Sequence, residues 1–335
     1  MSKQNITLTG ITTTGTPHLG NYLGAIKPAI EASKAAGQYF YFLADYHALI
    51  KTQDADRVHQ STKEIAAAWL ALGLDTDKAA FYRQSDIPEI PELTWFLTCV
   101  AAKGLMNRAH AYKDGVQKNL DAGEDPDSAI NMGLFSYPIL MAADILVFNA
   151  THVPVGRDQI QHIEMARDIA QRFNHLYGKH FNIPEAVIGK EGSVVKGLDG
   201  RKMSKSYDNT IPLFLGEKKL QKYINKIKTN LLEPGEPKDA DDSAVFQLWS
   251  AFANEGQTQW MRDQFAEGIA WGEAKKQLFE LIDTELQAPR ALYMELLKAP
   301  DTIEEELQKG AEKARALARP LLDDLRNSVG IRPLG

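Results

Sequence analysis

The sequence predicts an α/β fold: a doubly wound parallel sheet followed by an all-helical C-terminal domain. Three observations predict it. Short β-branched or aromatic runs alternate with helical periods between residues 6 and 173. Turns bearing Gly, Pro, Asp or Ser separate most of them. Beyond about residue 206 only helical periods remain.

Taken in order, residues 6–11 (Ile-Thr-Leu-Thr-Gly-Ile) read as a buried strand. From His18 to about Ala35 the apolar positions Leu19, Leu23, Ile26, Ala29 and Ile30 follow a helical period. Residues 38–45 form a second apolar strand that ends in Tyr46-His47, and residues 61–74 an amphipathic helix stopped by Gly73 and Asp75. A third strand over 79–84 is closed by Ser85-Asp86-Ile87-Pro88, and a helix follows over 91–104. The stretch 107–130 is polar, with Gly115, Gly123 and Pro126, and reads as an insertion at the sheet edge. An apolar helix over 133–148 leads to a short strand over 151–155, and Gly156-Arg157-Asp158 opens a helix reaching about Phe173. Helical periods then cover 213–230, 245–254, 260–265, 272–297 and 302–329, with residues 233–242 as an exposed connector. This gives a sheet domain over 1–206 and a helical domain over 207–335.

Composition narrows the function. A chain of 335 residues, 44% hydrophobic and 24% charged, suits a globular protein with two cores. The single Cys99 excludes a disulfide framework or a cysteine-rich metal site. No basic-then-apolar leader or membrane-length apolar run occurs, so the expectation is a cytoplasmic protein without a membrane partner. A net charge of −6 argues against nonspecific coating of nucleic acid, and no DNA partner is expected.

Two motifs carry chemistry. The first strand feeds Gly15-Thr16-Pro17-His18-Leu19-Gly20-Asn21 and then a helix. Strand, Gly/Thr/Pro turn and helix N-terminus make the anion-binding opening of a Rossmann-like nucleotide fold, although G-x-G-x-x-G is absent. Gly20 and Gly24 would let a backbone or nucleobase come close. His18 by itself reads as a helix cap or a satisfied surface group. The second motif, Lys202-Met203-Ser204-Lys205-Ser206, follows Gly197 and Gly200 and so lies on a loop. Two ammonium groups three residues apart can wrap a triphosphate, with Ser204, Ser206 and loop N–H groups adding hydrogen bonds. A solvated basic turn is the plain alternative.

A third feature concerns a ligand side chain. Tyr137, Met141 and Asp144 project from one helical face. Asp144 sits among apolar residues, where an unpaired carboxylate costs several kcal/mol, so it requires a partner. That partner is either a neighbouring Arg or Lys or the N–H of a ligand. An indole nitrogen donates only, and a carboxylate is its strongest acceptor.

Taken together, His18-Leu19-Gly20-Asn21 and Lys202–Ser206, roughly 180 residues apart, resemble the signature pair of class I aminoacyl-tRNA synthetases. Residues 137–146 are similar to the tryptophan-binding helix of tryptophanyl-tRNA synthetases. Tyrosyl relatives usually have Gln and a bulkier aromatic where this chain has Met141 and Ala143. Val153–Gln159 with Gln161-His162-Ile163-Glu164 resembles the same family. The chain departs from bacterial members at Thr12-Thr13-Thr14-Gly15 and at residues 108–113, which leaves open which residues of 107–115 touch substrate.

The resemblance implies activation of tryptophan with ATP, giving tryptophanyl-adenylate and pyrophosphate, then transfer to tRNA(Trp). It assigns His18 and Asn21 to the phosphates, Gly20 to the adenine, and Thr12, Thr13 and Thr14 to the same site. Lys202 and Lys205, with Met203, Ser204 and Ser206, would neutralise the departing pyrophosphate, assisted by Mg²⁺. Gly156, Arg157 and Asp158 would meet the nucleotide, although Asp158 reads equally as a helix N-cap. Val194 would pack on the adenine, or is a plain strand residue. Asp144, Tyr137, Met141, Gln159 and His47 would hold tryptophan. It further implies a homodimer and an anticodon-reading helical domain, where Lys218, Lys219, Lys222, Lys226 and Lys228 meet RNA or form a solvated face. The rival readings are a tyrosyl enzyme, a small nucleotidyltransferase and a non-catalytic RNA-binding relative.

Overall fold

A computed structural model describes residues 6–188 and 195–334, apart from the side chains of Asp158 and Ile188. Its centre is a parallel five-stranded sheet in the order β3-β2-β1-β4-β5. The strands are β1 (Ile6–Thr12), β2 (Gln38–Ala44), β3 (Ala79–Arg83), β4 (His152–Val155) and β5 (Glu185–Ile188). β1 and β2 pair from Ile6↔Gln38 to Thr12↔Ala44. The strand order reverses between β1 and β4, and in such sheets ligands bind beyond the carboxyl ends at that point.

Strand alternation sorts the core into two layers. Tyr39, Tyr41 and Leu43 face one hydrophobic cluster, while Phe40, Phe42 and Ala44 face the other. The first cluster also holds Trp69 and Leu19 together with Leu220, Trp249, Leu278 and Ile303. Helices following residue 206 thus share a core with the sheet. The second cluster contains Ile139, Ile163 and Phe173, and it too receives the C-terminal helix, through Ala311, Ala314 and Leu322.

Most expected elements appear with shifted ends. The helix expected over 18–35 is three pieces, Leu19–Asn21, a π-helical turn Tyr22–Ile26, and Lys27–Ala32. Pro28 has no N–H to give to Gly24, so the ordinary ladder is interrupted there, and Lys27 N–H reaches back to Tyr22 O instead. β2 ends at Ala44 and runs into a short helix, Asp45–Ala48, so Tyr46 and His47 are helical. The helix expected from 61 begins at Ala55, because Asp54 caps it by accepting from Arg57 N–H at 3.0 Å. The 107–130 stretch carries the helix His110–Asp121, none of whose residues is buried. β5 is an element the sequence reading does not contain.

Met132–Leu146 forms the apolar helix despite Pro138. The 3₁₀ turn Arg157–Gln159 precedes the helix Ile160–Tyr177. The later helices are Glu217–Asn225, Ala244–Phe252, Glu255–Ala266, Trp271–Lys298 and Pro300–Ser328. No described helix is long and apolar enough to cross a membrane.

Candidate active site

Four sheet strands deliver residues to one edge, because parallel strands end on the same side. Thr12 closes β1, His47 follows β2, Gln84 follows β3 and Gln159 follows β4.

At the β1 end His18 caps the helix that follows. Its Nδ1 accepts from Asn21 N–H at 3.3 Å, and Asn21 Oδ1 accepts from His18 N–H at 3.1 Å. This reciprocal capping box is the cap foreseen for an isolated histidine. It also dictates the tautomer. With Nδ1 accepting, the proton of the neutral ring sits on Nε2, where it is free to be donated onward. Burial, and then the Lys205 ammonium, hold the ring's pKa down at about 4. His18 is therefore a neutral N–H donor at physiological pH. Thr13 is fully buried, and its Oγ1 has no hydrogen-bond partner.

The lysine loop docks directly on this turn. Gly20 N–H points at Met203 Sδ at 3.2 Å, and Met203 is buried. A Cβ at Gly20 would come within 2.9 Å of the His18 ring and 3.4 Å of Met203, so only glycine fits the seat. The chain beyond the loop then pairs with the turn. Leu19 N–H donates to Ile211 O at 2.9 Å, and Leu213 N–H donates to Pro17 O at 3.0 Å. Lys205 Nζ lies 3.2 Å from where a Gly15 Cβ would stand. Burial and then Arg57 lower the Lys205 pKa from 10.5 to about 8.

Buried Asn209 holds the loop in shape. Its Oδ1 accepts from Ser204 N–H at 2.8 Å, and its Nδ2 donates to Asp199 at 2.7 Å and to Lys202 O at 3.1 Å. Ser204 Oγ and Ser206 Oγ are 2.8 Å apart. Sequence reasoning missed Asn209; four and seven residues past the two lysines, nothing local distinguishes it from a turn asparagine.

A second polar cluster surrounds Asp144, which is 1% exposed. His47 Nε2 donates to Oδ2 at 2.9 Å, and Gln84 Nε2 donates to Oδ1 at 2.7 Å. The required partner is thus an imidazole and an amide, with no guanidinium bonded to it among the described residues. Burial raises the Asp144 pKa, and the bonds from His47 and Gln84 oppose that shift. Gln84 Oε1 and the hydroxyl of buried Tyr82 lack partners. Gln84 escaped sequence reasoning, although its place at the carboxyl end of a parallel strand was a usable signal. Next to this cluster, Tyr137 O–H donates to His162 Nε2 at 2.6 Å, while His162 Nδ1–H donates to Gln159 Oε1 at 2.8 Å.

Comparison with known proteins identifies the family. The model of class I tRNA synthetases (W and Y) matches residues 1–287. The chain belongs to the class I tRNA synthetases. A relative named "Tryptophan--tRNA ligase" from Neisseria meningitidis is 58% identical across the whole of both chains. One of the same name from Pseudomonas aeruginosa is 61% identical, covering 98% of this chain and 74% of the relative. Among solved structures, tryptophanyl-tRNA synthetase from Campylobacter jejuni, complexed with ADP and tryptophan, matches with a TM-score of 0.86 and 41% identity. That match covers 97% of this chain and 99% of the other.

In this synthetase the two signature motifs, far apart in sequence, touch. His18, Gly20, Asn21, Met203 and Lys205 come together, while Asp144, His47, Tyr137 and Gln159 line a neighbouring stretch of the same sheet edge. Met141 is partly buried on that helix, packed against the second core cluster. Gly156 and Gln159 occupy the N-cap positions of the turn and of the helix after β4. Val194 and the Asp158 side chain lie outside the described residues.

Proposed function

We propose that this synthetase joins tryptophan to ATP, giving tryptophanyl-adenylate and pyrophosphate, and then passes the tryptophanyl group to the terminal ribose of tRNA(Trp). The observation that carries this reading is the seating of Met203 on Gly20. It brings the lysine loop against the histidine turn at the mouth of a nucleotide fold. The ADP and tryptophan in the Campylobacter relative, and the names of the relatives near 60% identity, support ATP and tryptophan as substrates here.

The chemistry needs no protein nucleophile. The tryptophan carboxylate attacks the α-phosphorus and pyrophosphate leaves, so the protein's task is positioning and charge stabilisation. His18, a neutral donor at Nε2, offers its proton to a phosphate oxygen without adding a charge that burial would penalise. Lys202 and Lys205 neutralise the departing pyrophosphate, and Ser204, Ser206 and loop N–H groups complete the cradle. Thr12, Thr13 and Thr14 line the same turn with Asn21, and the free Thr13 hydroxyl suits an oxygen of the nucleotide. Gly156, Arg157 and Asp158 on the ribose, and Val194 on the adenine, rest on the family resemblance alone.

Asp144 is the proposed acceptor for the indole N–H. Its two oxygens offer about four lone-pair sites, and His47 and Gln84 occupy two. Met141 lies one helical turn before it, and Tyr137 with Gln159 would receive the amino group. No group of three or more His, Cys, Asp or Glu among the described residues could hold a metal ion. Mg²⁺ would be held chiefly by the phosphate oxygens of ATP and would help to neutralise their charge, a mode in which the protein need supply little beyond the substrate's own oxygens. The helices after residue 206 would read the anticodon. An apolar groove between Leu49, Ile50, Pro91 and Leu140, with Trp95 and Met132 exposed on neighbouring elements, supports a homodimer. A cytoplasmic place accords with these substrates.

Tryptophan-dependent exchange between ATP and pyrophosphate tests the reading. Exchange should proceed with tryptophan and be at background with tyrosine at equal concentration. Tyrosine-driven exchange would assign the chain to the tyrosyl branch, and no exchange with either would remove the catalytic reading.

A further inference from the structure

Arg57 stands in the first turn of the helix Ala55–Ala71, remote in sequence from both motifs. Its guanidinium nevertheless reaches the phosphate turn. A Cβ built on Gly15 would lie 3.2 Å from Lys205 Nζ and 3.6 Å from Arg57 Nη2, so two cations flank the same glycine. Gly15 has φ +141°, a backbone conformation that few other residues adopt, and its missing side chain leaves the space between the cations open.

The placement is electrostatically unfavourable as it stands. Arg57 sits at the positive end of a helix dipole, where cations are disfavoured. Neither Arg57 nor Lys205 makes a side-chain hydrogen bond or ion pair with an acid among the described residues, and Glu64 attracts Lys205 only through its field. The mutual repulsion is enough to weaken the hold of Lys205 on its proton, after the larger effect of burial. An anion lodged over Gly15 would relieve all of this, and a guanidinium pairs two oxygens of one phosphate at once.

We infer that Arg57 is a further substrate-binding residue, gripping together with Lys205 the β- and γ-phosphates of ATP and the pyrophosphate that leaves. The inference rests on the ATP reading proposed above. Its test measures KM for ATP, pyrophosphate and tryptophan in the exchange reaction for Arg57→Ala, Arg57→Lys and Lys205→Ala. Arg57→Ala should raise KM for both ATP and pyrophosphate about tenfold, as loss of a charge-assisted hydrogen bond does, and leave KM for tryptophan unchanged. Arg57→Lys should recover part of the loss. Because Arg57 is exposed, an unaltered melting temperature will show that the variants fold. If Lys205→Ala raises KM for ATP while Arg57→Ala does not, the assignment of Arg57 is overturned and the ATP reading stands. If neither changes it, the ATP reading fails as well. A defect in Arg57→Ala confined to tRNA charging would also overturn the inference and place Arg57 on the RNA.

Discussion

Two residues show how a neighbour sets chemistry. The hydrogen bond from Asn21 N–H turns His18 into a neutral donor, and burial with Lys205 keeps it so down to about pH 4. Protonation of His18 therefore produces no fall in exchange activity near pH 6.5. Lys205 behaves in the opposite sense. With its pKa lowered to about 8, the ammonium proposed to bind phosphate is lost as pH rises through that value. kcat/KM for ATP should accordingly decline above about pH 8, and Lys205→Arg should carry the decline out of range, since a guanidinium keeps its charge. A pH profile of wild type and variant checks both statements. The sequence showed Lys205 and His18 plainly, because a short motif is local. It showed Asp144 as a buried acid in need of a partner. It was silent on which partners, because Gln84 and His47 lie 60 and 97 residues away in the chain.

Among the elements, the last helix illustrates a contact with no local signature. Gly310 of Pro300–Ser328 packs on edge strand β3, where an added Cβ would run into the backbone N, C and O of Phe81. Backbone atoms cannot rotate away, so the helix itself would have to lift. Gly310→Ala should destabilise the protein by about 2 kcal/mol or more, although alanine is the better helix former by about 1 kcal/mol. Urea unfolding measures it, and a stabilised variant would contradict the packing described. The π-turn Tyr22–Ile26 is the opposite case. Pro28, visible in the sequence, interrupts the ladder, yet the apolar period still read as one continuous helix.

At the scale of the molecule, ionic contacts tie the C-terminal helix to Glu89–Val100, the helix that follows β3. Glu89, whose side chain is 7% exposed, accepts from Arg315 Nε and Nη2 at 3.0–3.1 Å, with Arg319 at 3.6 Å. Arg326 likewise pairs with Glu92 at 2.6 Å. Arg315→Ala would leave the Glu89 carboxylate poorly compensated and should lower stability by about 3 kcal/mol, whereas replacing Glu89 and Arg315 together by Met should restore most of it. Equal losses in the single and double variants would exclude this account.

By itself the sequence determined what depends on neighbours in the chain: the strand–turn–helix openings, the alternation that dictates a parallel sheet, the two signature motifs and the apolar helix carrying Asp144. Only the tertiary structure decided that Met203 rests on Gly20, that Arg57 points at Gly15, that Gln84 steadies Asp144, and that the trailing helices share the cores of the sheet. Those facts join residues tens to hundreds of positions apart. Their energies come from burial and charge pairing between surfaces that exist only once the chain has folded.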